Sequence, residues 1–126
     1  MTGAVGWPSR REVESWWLAI LDGTASREEI HDRTVPWVEG KLAVGPSHDI
    51  PVGMAVQYLH GFTLVRDPHA PHGVRHGGPG EYLKSLDEVR MDLEYWRAQC
   101  AAHDRDPAAW RERRLAIARA FARRGG

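Results

Sequence analysis

Three times in this chain a serine stands three residues ahead of a glutamate at the mouth of an apolar stripe: Ser9 with Glu12, Ser26 with Glu29, and Ser85 with Glu88. In such a capping box the serine hydroxyl takes an orphan N–H of the first turn, and the glutamate returns the bond to the serine's own N–H. Behind Ser9, the residues Val13, Trp16, Trp17, Ile20 and Leu21 recur at helical spacing, and Asp22-Gly23 closes the helix. Gly23 is free to adopt the left-handed conformation that such an ending needs. Ser26 opens a second helix with Ile30, Trp37 and Val38 on its inner side. Pro36 lacks an N–H and crowds the preceding turn, so a kink or break is expected near Val35. Ser85 opens a helix carrying Leu86, Val89, Leu93, Trp96 and Cys100 on one face.

Two further helices follow from other signals. Asp49 is the expected cap of a helix with Pro51 in its first turn, Val52, Ala55, Val56 and Leu59 inside, and Gly61 at its end. Gly45-Pro46-Ser47 reads as the linker before it. Asp106-Pro107 opens the last helix, whose Trp110, Ile117, Ala118 and Phe121 point one way. The short β-branched and aromatic runs 62–65 and 81–84 are expected to pair as a hairpin. Between them lies 67–80, a Pro, Gly and His-rich stretch without periodicity, expected as a flexible loop. The expected fold is mainly α: about five helices in a compact bundle with a small two-stranded β-hairpin, in a single domain spanning 1–126.

Composition narrows the class. At 42% hydrophobic and 27% charged residues, the 126-residue chain is globular in character. No apolar run approaches the ~20 residues of a membrane span, and the N-terminus lacks the pattern of a secretory signal, so no membrane association is expected. One cysteine rules out an internal disulfide framework and a four-cysteine zinc site, which points to a reduced, cytoplasmic protein. The net charge of zero is uneven: −3 over residues 1–60, −1 over 61–100 and +4 over 101–126. An acidic body with a basic final helix can steer charged partners even at zero net charge.

Few residues carry a chemical signature. His69, His72 and His76 in the 67–80 stretch have the donor type and spacing of a weak metal site. A segment so rich in proline and glycine is expected instead to be a solvated loop, and neither a cofactor nor a metal is expected. His60, at the end of the third helix, is expected to interact with last-turn carbonyls or the helix dipole. Asp49 beside His48 reads as a cap rather than a dyad. Cys100, one turn before His103, reads as a core cysteine because it lies on an apolar stripe far from a helix N-terminus. Five of the six tryptophans fall at or beside core positions; Trp7 is a candidate staple or surface anchor. Adjacent Trp16 and Trp17 cannot both point fully inward, so one is a candidate for lining a groove. There is no phosphate-binding glycine loop, HExxH, CxxC or nucleophile elbow, so no enzyme reading has an anchor and no catalytic residue is assigned.

The order Leu21-Asp22-Gly23, Ser26-Arg27-Glu28-Glu29, Pro36-Trp37-Val38, then Tyr58-Leu59-His60-Gly61-Phe62 and Tyr82-Leu83, resembles small actinobacterial colicin-immunity-like proteins over roughly residues 9–97. The resemblance implies a protein-binding inhibitor that covers a toxin's active site. The expected partner is another protein, of the nuclease-toxin kind. Its contacts would come from the acidic face: Glu28, Glu29, Asp32, Glu39, Asp87, Asp92 and Glu94. The alternatives are a nucleic-acid accessory protein using Arg111, Arg113, Arg114, Arg119, Arg123 and Arg124, and a small enzyme or metal protein centred on the histidine-rich loop.

Overall fold

In the computed structural model, which describes residues 6–40 and 47–125, four helices enclose one core, a fifth packs along the fourth, and there is a small antiparallel sheet. The helices are α1 (Arg10–Asp22), α2 (Arg27–Val38), α3 (Ile50–Gly61), α4 (Leu86–Arg105) and α5 (Pro107–Gly125). The strands are β1 (Leu64–Arg66) and β2 (Val74–His76). The molecule is therefore mainly α with a minor β element. Of the linker at 45–47, Gly45 and Pro46 lie outside the described residues.

All three capping boxes form with both reciprocal bonds in place. Gly23 ends α1 at φ +81°, where a side chain would be strained. Asp49 occupies the N-cap position of α3, but its carboxylate does not cap the helix. Instead it receives Arg10, which donates through Nε and Nη2 at 2.7 and 3.0 Å and also binds Asp104 at 2.7 and 2.9 Å. One guanidinium thus joins the starts of α1 and α3 to the end of α4.

The core holds Val13, Trp17, Ile20, Ile30, Val52, Ala55, Val56, Leu59, Phe62, Val89, Leu93 and Trp96. Fully burying such an aliphatic or aromatic side chain contributes roughly 1.5–3 kcal/mol. Trp17 lies at its centre, with ring centroids 5.4 Å from Tyr58, 5.5 Å from Phe62 and 5.7 Å from Trp96. Two indoles of the core satisfy their N–H: Trp17 donates to the Val89 carbonyl at 3.0 Å and Trp96 to the Pro51 carbonyl at 2.7 Å. Trp16 stays half-buried and stacks on Trp37, which Trp7 also approaches.

Four further expectations, beside the Asp49 cap, are overturned. The second helix does not break at Val35: it stays helical to Val38, and Glu39 N–H still reaches the Val35 carbonyl at 2.9 Å. Pro36 falls in the final turn, where few later bonds depend on it. Leu86 is half exposed rather than on the inner face of α4. On α5, Trp110 alone is buried among the described residues, while Ile117 and Phe121 face outward at 50% and 68% exposure. This helix packs along α4, and a helix supported on one side has little core against which to turn a second row.

The fourth concerns the sheet. Leu64 pairs with His76, Val65 with Arg75 and Arg66 with Val74, so the partner of β1 comes from the stretch expected as a flexible loop. Segment 81–83 touches the other edge of β1 through one bridge, Val65 to Tyr82, with Arg66 N–H donating to Glu81 and Leu83 N–H to Leu64. Arg75 knits the loop together. Its Nε donates to Asp67 at 2.9 Å and its two terminal nitrogens donate to the carbonyls of Gly77 and Pro79. Those bonds order a segment whose composition alone suggests none.

Candidate metal centre

The C-terminal turn of an α-helix leaves carbonyls without internal partners. At the end of α3 these carbonyls are taken by α2. Arg27 donates through Nη1 to the carbonyls of Phe62 and Lys84 at 3.2 and 2.8 Å, and its guanidinium lies 4.1 Å from the centre of the Tyr82 ring. The burial of Arg27 lowers its pKa from the usual value. One turn further along the same face, His31 Nδ1 lies 2.9 Å from the His60 carbonyl. A carbonyl only accepts, so Nδ1 carries the proton and Nε2 of His31 keeps its lone pair.

The junction from α3 into β1 brings up the other groups. His60 lies in the last turn of the helix, and Thr63, buried at 1% exposure, comes three residues later. Thr63 Oγ1 lies 2.8 Å from His76 Nδ1 and 3.2 Å from His31 Nδ1, and donates to the His60 carbonyl at 3.3 Å. With its hydroxyl proton directed to that carbonyl, Thr63 accepts from His76 Nδ1, which leaves Nε2 of His76 open. The pairing of β1 with β2, and the bond from Gly77 N–H to the Thr63 carbonyl at 2.9 Å, hold His76 in place.

The three imidazoles face one another with ring centroids 4.1 to 4.7 Å apart. One ring nitrogen from each of His31, His60 and His76 lies within 4.8 Å of the others. Nitrogens bound tetrahedrally to one zinc ion, with bonds of about 2.0–2.1 Å, lie roughly 3.3 Å apart. Reaching that spacing requires the three rings to turn so that one nitrogen of each points to a common centre. Burial, then the neighbouring His31 and His60, hold His76 below the ordinary imidazole value, which favours the neutral, ligating form. Glu39, at the C-cap of α2, places Oε2 2.8 Å from His60 Nε2 and 3.9 Å from His31 Nε2.

The sequence singled out only part of this constellation. His76 joins it, whereas His69 and His72 stay on the exposed turn before β2. The ring of His60 turns to Glu39 rather than to the carbonyls of its own last turn. His31 carried no signal, because an isolated histidine on an amphipathic helix announces nothing until a second element meets it.

The acidic candidates disperse. Glu28 accepts from the Tyr82 hydroxyl at 2.7 Å, Glu29 serves its capping box, and Glu39 meets His60. Asp92 pairs with Lys84 and Glu94 with Arg97. Asp32 and Asp87 are exposed. Of the arginines on α5, Arg114 lies over Trp110 at 5.1 Å, and Arg111, Arg113, Arg119, Arg123 and Arg124 are exposed. Cys100 is half-buried, and its burial raises the thiol to about 11. A separate groove of about 440 Å³ lies between Met54, Tyr58, Phe62, Leu64, Leu83 and Arg114; Trp16 is not among its lining residues.

No family model, curated protein or solved structure matches this chain. Among the described residues, no helix is long and apolar enough to cross a membrane.

Proposed function

We propose that this protein binds a divalent transition-metal ion, zinc foremost, between α2, α3 and β2. The observation that carries the reading is the convergence of His31, His60 and His76 from three separate elements, with one ring nitrogen of each within 4.8 Å of the others. Two features support it. Imidazole suits zinc, copper and nickel rather than magnesium or calcium. The bonds from the Nδ1 atoms of His31 and His76 to the His60 carbonyl and Thr63 are the outer contacts that orient ligating histidines. The test is calorimetric titration of tag-free, metal-stripped protein with zinc. One equivalent is expected to bind the natural chain and none the His31→Ala, His76→Ala double variant; equal titrations would refute the assignment.

A second reading is the toxin inhibitor implied by the colicin-immunity-like resemblance. Its support is the exposure of Met91 and Tyr95 on α4 and of Leu115, Ile117 and Phe121 on α5, apolar side chains of the kind a protein partner covers. The acidic residues give it less support, since five of the seven already meet intramolecular partners. Pull-down from nuclease-treated lysate of the source organism tests it. One dominant toxin-like protein retained at high salt is expected, and its loss in a Phe121→Glu variant would locate the contact on α5.

A further inference from the structure

We infer that Glu39 is the fourth ligand of this centre, so that the metal site is closed and its ion clamps the structure rather than activating water. The inference rests on the metal-binding reading above and adds the coordination number, and with it the class of site. Its basis is the placement of one carboxylate oxygen. Glu39 Oε2 lies 2.8 Å from His60 Nε2 and 3.9 Å from His31 Nε2. These distances bracket the roughly 3.3 Å that separates two ligands at the corners of a zinc tetrahedron. The carboxylate therefore stands near ligand spacing from His60 and His31, outside the group of three nitrogens that lie within 4.8 Å of one another, and it swings inward to complete the set.

The backbone puts it there. Glu39 is the residue at which α2 ends, with φ −98° and ψ 8°, and its N–H is held by the Val35 carbonyl at 2.9 Å. Gly40 follows at φ +67°, a left-handed conformation that ends the helical path at Glu39. His31 and Glu39 thus belong to one rigid element, His60 lies in the last turn of a second and His76 sits on the strand.

The chemistry of the set is consistent. Three neutral imidazoles and one carboxylate leave a single positive charge on a divalent zinc centre, and the exposure of His76 and Glu39 lets solvent accommodate it. His60 now holds a proton on Nε2, shared with Glu39. When the metal takes that nitrogen, the proton passes through solvent to Nδ1, so the ring stays neutral and the carboxylate turns its lone pair to the ion. With four protein ligands the ion keeps no open position for water or substrate, as in structural rather than catalytic zinc sites. The consequence is mechanical: the ion ties the strand pair to the ends of α2 and α3.

Cobalt(II) is the probe, because its visible absorption reports coordination number. The full natural chain loaded with one equivalent of cobalt is expected to give the intense visible bands of a four-coordinate ion, unchanged by added azide. Glu39→Gln keeps the three imidazoles; it is expected to bind cobalt more weakly by at least the roughly 10-fold that losing even an outer partner costs, and to become azide-responsive, since water then fills the fourth corner. A natural protein whose spectrum already responds to azide, with affinity unchanged in Glu39→Gln, would overturn the closed site while leaving metal binding by the histidines intact. A natural chain that takes up no cobalt and no zinc would overturn both. Circular dichroism of metal-free Glu39→Gln, whose substitution is at an exposed position, checks that the fold persists.

Discussion

His31 Nδ1 and the backbone carbonyl of His60 lie 2.9 Å apart, and this one bond does two things. It gives a second donor, beside the Thr63 hydroxyl, to a carbonyl at the end of α3, and it fixes the tautomer that leaves His31 Nε2 as a lone-pair donor. A docking contact between two helices thereby becomes half of a ligand set.

If the centre holds zinc in the folded state alone, zinc at about 100 times its dissociation constant stabilises the protein by about 2.7 kcal/mol. For a chain of this size, the melting temperature is expected to rise on the order of 10 °C. His76→Ala should melt at the same temperature with and without zinc. Differential scanning calorimetry reads both, and an equal rise in the two proteins would remove His76 from the site.

Thr63 touches the Nδ1 atoms of both His76 and His31. Thr63→Val keeps the shape and deletes the hydroxyl. Metal affinity is expected to fall about 10- to 100-fold, against a loss of only roughly 0.5–1.5 kcal/mol in the metal-free protein. Urea denaturation and zinc titration together separate the two effects; a purely structural threonine would show only the second.

Asp104 accepts two bonds from Arg10, with His103 beside it, and these contacts hold its carboxyl down at about 2. A depressed carboxylate stabilises the fold above its unfolded value of about 3.9, and the contribution fades as the pH falls from there through the folded value. The natural protein should therefore be more stable than Asp104→Asn near neutrality, and the difference should close between about pH 4 and pH 2. A gap that persists at the acid end would mean that the Arg10 contact does not govern this titration.

Trp17 is fully buried and bonded to the Val89 carbonyl. Trp17→Ala is expected to cost about 3–5 kcal/mol through the cavity it leaves. Trp16→Ala, at a half-buried position, should cost distinctly less. Chemical denaturation of the two variants would expose an error in assigning the inward position between these neighbours.

Cys100 packs against the core near the Arg10–Asp49 pair, and burial raises its thiol to about 11. At about pH 8 little thiolate exists, and iodoacetamide should modify the native protein on the order of 100-fold more slowly than the same chain in denaturant. Equal rates would mean that the thiol is not buried as described.

The residues behind these expectations differ in how much of their role a linear reading reveals. Ser9, Ser26 and Ser85 declare their helices, because a capping box is complete within four residues. Val52, Ala55, Val56 and Leu59 declare a buried face through spacing alone. Ile117 and Phe121 have the same spacing and lie in the open, since periodicity marks a face but not whether anything covers it. The strand at Val74–His76 was hidden for a related reason: its order comes from β1 and from the bonds of Arg75 to Asp67, Gly77 and Pro79.

By itself the sequence determined where the helices begin, which residues could face inward and that the molecule would be mainly α. Those properties rest on interactions between residues a few positions apart. Only the tertiary structure decided which strand β1 would accept, that α5 would display its apolar residues, and that His31, His60, His76 and Glu39 would meet. Each of those outcomes depends on groups brought together from distant parts of the chain, and no local spacing encodes the distance between them.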